Sequence, residues 1–103
     1  MISMFFAAAL AASTPAPTSD DELVCRAISE LGGTMMQMRQ DGLVSQADME
    51  VKTRELARDA QFAKLYISMV RLAWSHPQFN SPQYRQTAVM RFKNEMYSLC
   101  LEP

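Results

Sequence analysis

Apolar residues recur at three- and four-residue intervals along most of this chain, the period of an α-helix with one buried face. Val24, Ala27, Ile28, Leu31, Met35 and Met38 form the first such stripe. Ser19-Asp20-Asp21-Glu22 precedes it as a capping box, whose hydroxyl and carboxylate meet the free N–H groups of a first turn. The acids also face the positive end of the helix dipole. Gly42 follows Arg39-Gln40-Asp41 and is placed to take the left-handed conformation that ends a helix. Gly32-Gly33 interrupts the stripe, each glycine costing about 1 kcal/mol against alanine in a helix interior. The pair is either a tolerated weak spot or a point of close approach by another helix.

Leu43-Val44 connects to a second helix, capped by Ser45 with Asp48 at the third helical position and running over Gln46 to Arg58. Its apolar side is thin (Ala47, Met49, Val51, Leu56, Ala57), so it is expected to be the least buried element. Ala60 to Trp74 is far more apolar. Phe62, Leu65, Tyr66, Met69, Val70, Ala73 and Trp74 cover a broad face opposite Lys64, Ser68 and Arg71, as a central helix would. Periodicity alone leaves open whether it continues the second helix or restarts at Asp59. Ser75-His76-Pro77 stops it, because a residue before proline avoids helical angles. Ser81 then caps a last helix with Pro82 at its first position, where a missing N–H costs nothing. Tyr84, Ala88, Val89, Phe92, Met96 and Leu99 make its stripe, and Cys100 stands at its end. No stretch alternates convincingly with period two, so the fold class is all-α.

The two cysteines bear on helix number. Cys25 lies near the start of the first helix and Cys100 at the end of the last, 75 residues apart. In an exported chain two cysteines read as one disulfide; in a cytosolic one they read as two buried free thiols. A bridge requires Cα atoms within about 7 Å, whereas a helix of about 20 residues is roughly 30 Å long. Three helices would put the two cysteines at opposite ends. Four, in an up-down bundle closed by the disulfide, bring them together, so a bridge predicts a break close to Asp59.

Met1 to Ala12 is apolar, too short for a stable membrane span, which takes about 20 residues, and of the length of a secretory core segment. Small residues suited to cleavage follow it. The expected organisation is a signal peptide over 1–13, a flexible tether over 14–19, and a helical domain over 20–103. The pattern lacks one element: the first basic residue is Arg26. The address implied is periplasmic or secreted; without cleavage it becomes cytoplasmic or virion-associated.

The chain has 103 residues, room for one domain, and a net charge of −1, which argues against a phosphate-driven nucleic-acid binder. Residues 20–59 carry nine acids and five bases, and residues 60–103 two acids and five bases. This asymmetry reads first as two solvated faces; it also permits attraction across a helix interface or a head-to-tail homo-oligomer. Nine methionines are many for this length, and most fall on helical stripes, where methionine fills irregular core gaps.

No catalytic, cofactor-binding or metal-ligating constellation is legible. His76, the single histidine, has no partner at a spacing that would orient it as a base. An enzymatic role would require His76 in a cleft beside a carboxylate and a hydroxyl or thiol. One histidine and two distant cysteines lack the paired spacing of a zinc site. Aromatic residues with arginine are typical interface anchors. Arg71, Trp74, Phe79, Tyr84, Arg85, Arg91 and Tyr97 are therefore the candidate interaction surface for a protein partner, although Trp74 and Phe79 also suit packing at the corner between the last two helices.

Several stretches together resemble small exported helical proteins of proteobacteria and their prophages. A signal-like start is followed by Cys25 early in the first helix, then Met36-Gln37-Met38-Arg39-Gln40-Asp41-Gly42, then Pro77-Gln78-Phe79-Asn80-Ser81, then Phe92-Lys93-Asn94 and Tyr97-Ser98-Leu99-Cys100. The resemblance covers about residues 23–100, implies a disulfide-linked helical fold and supplies no activity. The expected function is a non-enzymatic binding protein of the bacterial envelope, of inhibitor, immunity or exclusion type. The alternative is a phage structural or accessory component with reduced cysteines.

Overall fold

A computed structural model describes residues 20–102. The signal peptide, the tether and the Ser19 cap expected from the sequence lie outside the described residues. Four helices follow in order: α1, Asp20–Asp41; α2, Gln46–Leu56; α3, Ala60–Ser75; and α4, Pro82–Leu101. The boundaries follow local chemistry. Ser45, Asp59 and Ser81 each accept a backbone N–H of the first turn beyond them, from Asp48, Phe62 and Tyr84. Gly42 has φ of 70° at the end of α1, a left-handed angle that glycine adopts without strain. The break between α2 and α3 falls at Ala57, whose backbone is extended, so α2 stops two residues before the expected Arg58.

Cys25 and Cys100 form the disulfide, with Cα atoms 5.5 Å apart. The pairings between helices define an up-down-up-down bundle. α1 and α4 run antiparallel: Cys25 meets Cys100, Gly33 faces Lys93, and the corner before α4 meets the end of α1. α1 and α3 run the same way: Gly32 lies beside Met69, and Arg39 and Gln40 at the end of α1 reach the His76 and Pro77 carbonyls just past the end of α3. Among the described residues no helix is long and apolar enough to cross a membrane.

The core is Met35 and Met36 from α1, Met69, Val70 and Ala73 from α3, and Phe92 and Met96 from α4. The thin helix α2 adds Thr53 as its buried residue and is the least buried element, as expected. The surface of α1 that faces α4 differs from the apolar stripe of the sequence. Cys25, Ser29, Gly32, Gly33, Met36 and Gln40 are buried, whereas Val24 and Ala27 are exposed. The cause is close approach of the backbones. A methyl group at Gly32 would stand 2.8 Å from Met96 Cγ, one at Gly33 2.7 Å from Lys93 Cγ, and Ser29 Oγ donates to the Lys93 carbonyl at 2.9 Å. Small residues therefore face α4, while Ile28, Leu31 and Met35 pack on the other side of α1. On α4, Tyr84 and Leu99 leave the expected stripe and are exposed.

The opposite charges of the two halves meet within the bundle. Arg71 of α3 lies 3.0 Å from Glu50 of α2, and Lys93 of α4 lies 2.9 Å from Glu30 of α1.

Candidate functional site

The corner between α3 and α4 is fastened by the last turn of α1. Gln40 is fully buried. Its amide nitrogen donates to the Pro77 carbonyl at 2.9 Å, and its amide oxygen accepts from the Phe79 N–H at 2.8 Å. Arg39 Nε donates to the His76 carbonyl at 3.1 Å, and Gln78 Nε2 donates to the Gln40 carbonyl at 3.1 Å. A proline-bearing connector leaves main-chain groups without helical partners, and these bonds satisfy them. The Arg-Gln-Asp-Gly and Pro-Gln-Phe stretches are thus two halves of one polar clamp.

Held this way, the corner opens onto a groove of about 380 Å³ along α4. Its walls are Phe79 and Tyr84, whose ring centres lie 6.1 Å apart, with Phe92 and Ala88 at the floor and His76, Thr87, Arg91 and Glu95 around it. Arg85 Nε donates to the Phe79 carbonyl at 2.6 Å and so fixes the aromatic wall to α4 from behind. Tyr84 is 64% exposed, and the Arg91 side chain makes no ion pair among the described residues, leaving an aromatic face and a cation open to a partner.

His76 meets part of the geometric requirement for catalysis: it lies in a groove with a carboxylate and two hydroxyl-bearing side chains. Its ring stands edge-on to Phe92, and its Nε2 is 3.9 Å from Glu95 Oε2. That separation exceeds the roughly 2.6–3.2 Å that orients a base. The Thr87 hydroxyl already donates to the Gln83 carbonyl at 3.0 Å. The His76 and Glu95 side chains are 42% and 45% exposed, so water reaches both. The groove thus offers a ligand an aromatic face, a cation and hydrogen-bonding groups. Among the described residues no group of three or more histidine, cysteine or acidic side chains is placed to hold a metal ion.

Of the seven candidate interaction residues, the structure brings Phe79, Tyr84 and Arg91 together, with Arg85 supporting them. It does not bring in the other three. Arg71 turns to Glu50, Trp74 is half-buried against the core, and the Tyr97 hydroxyl donates to Glu22 Oε1 at 3.4 Å, far along α4 towards the disulfide. Thr87 and Glu95 belong to the groove and were missed. The signal was present: Tyr84, Thr87, Arg91 and Glu95 recur at helical spacing on the face beside the buried one. No protein-family model matches this chain, and no curated protein or solved structure is significantly similar to it.

Proposed function

We propose that this chain is a small exported, non-enzymatic binding protein of the bacterial envelope, of inhibitor, immunity or exclusion type, acting through the α4 groove. The observation that carries the reading is the Cys25–Cys100 disulfide. Such bonds persist in oxidising compartments and are reduced in the cytosol, and the apolar start of the chain reads as an export signal. The groove supports a protein partner. Its exposed tyrosine, second aromatic wall and unpaired arginine are the residue types that anchor interfaces. The partner fitting it best presents an acidic group to Arg91 and an apolar or aromatic side chain to Phe79 and Tyr84.

A photo-crosslinking side chain at Gln83, on the edge of the groove, tests this in the native host. The expected result is one predominant crosslinked protein, lost on Tyr84→Ala or Arg91→Glu with the helical content unchanged. Crosslinks that survive both substitutions contradict the groove as the interface.

A further inference from the structure

A second hollow lies on the other side of α1, between α1, α2 and α3, and is separate from the α4 groove. It measures about 430 Å³, within the roughly 300–1,000 Å³ of small-molecule sites. Leu31, Met35, Met38, Met49, Leu56 and Tyr66 form its walls. Three of these are methionines, unbranched side chains that repack around a flexible guest. The two threonine hydroxyls on its wall are spent on their own helices, Thr34 on the Glu30 carbonyl and Thr53 on the Met49 carbonyl. Apart from the Tyr66 hydroxyl, the body of the cleft therefore offers hydrocarbon to a guest.

Charge enters only at the rim. Lys52 makes no ion pair among the described residues, although Asp48 stands one turn before it on the same rim. Asp48 lies in the first turn of α2, where the free N–H groups favour its charge. Among the described residues Lys52 is the cation on this rim, and the Asp48 charge beside it is met by the N-terminus of α2. Among the described residues the helix that carries it is lightly held, by buried Thr53, half-buried Met49 and the Glu50–Arg71 pair to α3, and elements with few buried contacts open at low cost.

We propose that this cleft binds a free single-chain alkyl carboxylate, its chain among the methionines and its head group at Lys52. The full chain is titrated calorimetrically with decanoate, decanol and decyltrimethylammonium. Decanoate is expected to bind one to one and raise the melting temperature, with decanol weaker and the cation weakest. Lys52→Glu lowers decanoate affinity about fivefold, the size of an exposed ion pair lost, and reverses the order of the two charged ligands. Thr34→Trp, at an exposed position on the wall, abolishes binding of all three while the far-ultraviolet spectrum stays helical. Absence of decanoate binding, affinity indifferent to head-group charge, or affinity unmoved by both substitutions overturns the proposal.

Discussion

Gln40 carries two polar atoms into a place that water does not reach, and both are used. Replacing it with alanine leaves the Pro77 carbonyl and the Phe79 N–H without these partners in a part-buried corner. Each such loss costs about 1–3 kcal/mol. Gln40→Ala is therefore expected to destabilise the protein by about 3 kcal/mol in urea unfolding and to speed hydrogen exchange at the Phe79 amide above all others in the corner. An effect below about 1 kcal/mol would mean that water replaces the amide. This residue was hidden in the sequence for a physical reason. A hydrophobic pattern assigns a polar side chain to the outside, and only the distant Pro77-Gln78-Phe79 stretch supplies the partners that make burial tolerable. The two stretches were visible as motifs; the bonds between them were not.

At the scale of the helix, α1 presents two different faces. Part of its apolar stripe packs as the sequence indicates, through Ile28, Leu31 and Met35, while Val24 and Ala27 stay exposed. Its closest contact, with α4, is made by Cys25, Ser29, Gly32 and Gly33, of which the serine and the glycines are ranked low by hydropathy because they contribute little apolar area. Their contribution is proximity. Gly32→Ala gains about 1 kcal/mol of helix propensity and meets Met96 Cγ at 2.8 Å, and overpacking costs about 1–3 kcal/mol. Crowding wins, so the melting temperature should fall. Gly33→Ala should lose less, because the Lys93 side chain, 28% exposed, can swing outward and give up only its pairing with Glu30. Thermal unfolding of the two variants side by side checks the order.

Helix α2 depends on charge more than on burial. Hydrogen bonds from Arg71 and then Gln46 hold the Glu50 carboxyl below its ordinary range against a smaller opposing effect of burial. A depressed carboxylate pKa gives stability that is present above the unfolded value and lost as pH falls through the folded one. Protection factors of α2 amides, taken against the free-peptide exchange rate at each pH, should therefore fall on acidification below the ordinary carboxylate range, before those of α1 and α4. In Arg71→Ala the protection at neutral pH is already reduced and the acid dependence is flatter. Unchanged α2 protection in that variant would show that Thr53 and Met49 suffice to dock the helix.

For the whole molecule, topology was the most legible property, because it followed from one constraint. Two sulfurs at the far ends of the domain can meet only if the chain reverses an odd number of times between them, and this requirement located the break near Asp59 that periodicity left open. The bond closes a separation of 75 residues, worth about 4 kcal/mol by chain entropy. A domain of this size has a total stability of only about 5–15 kcal/mol. The α4 groove was legible in part: its aromatic residues and Arg91 stood out by type, but which of the candidates would share one surface depended on how α3 and α4 turn at Pro77. The proposed envelope role requires that this bond be made where the protein works. Denaturing alkylation of the chain taken directly from its native host, read by intact mass, tests this. The predicted result is a shortened chain lacking its apolar N-terminal segment, with no alkylated cysteine until a reductant is added; a full-length chain carrying two alkyl groups without reductant would contradict it.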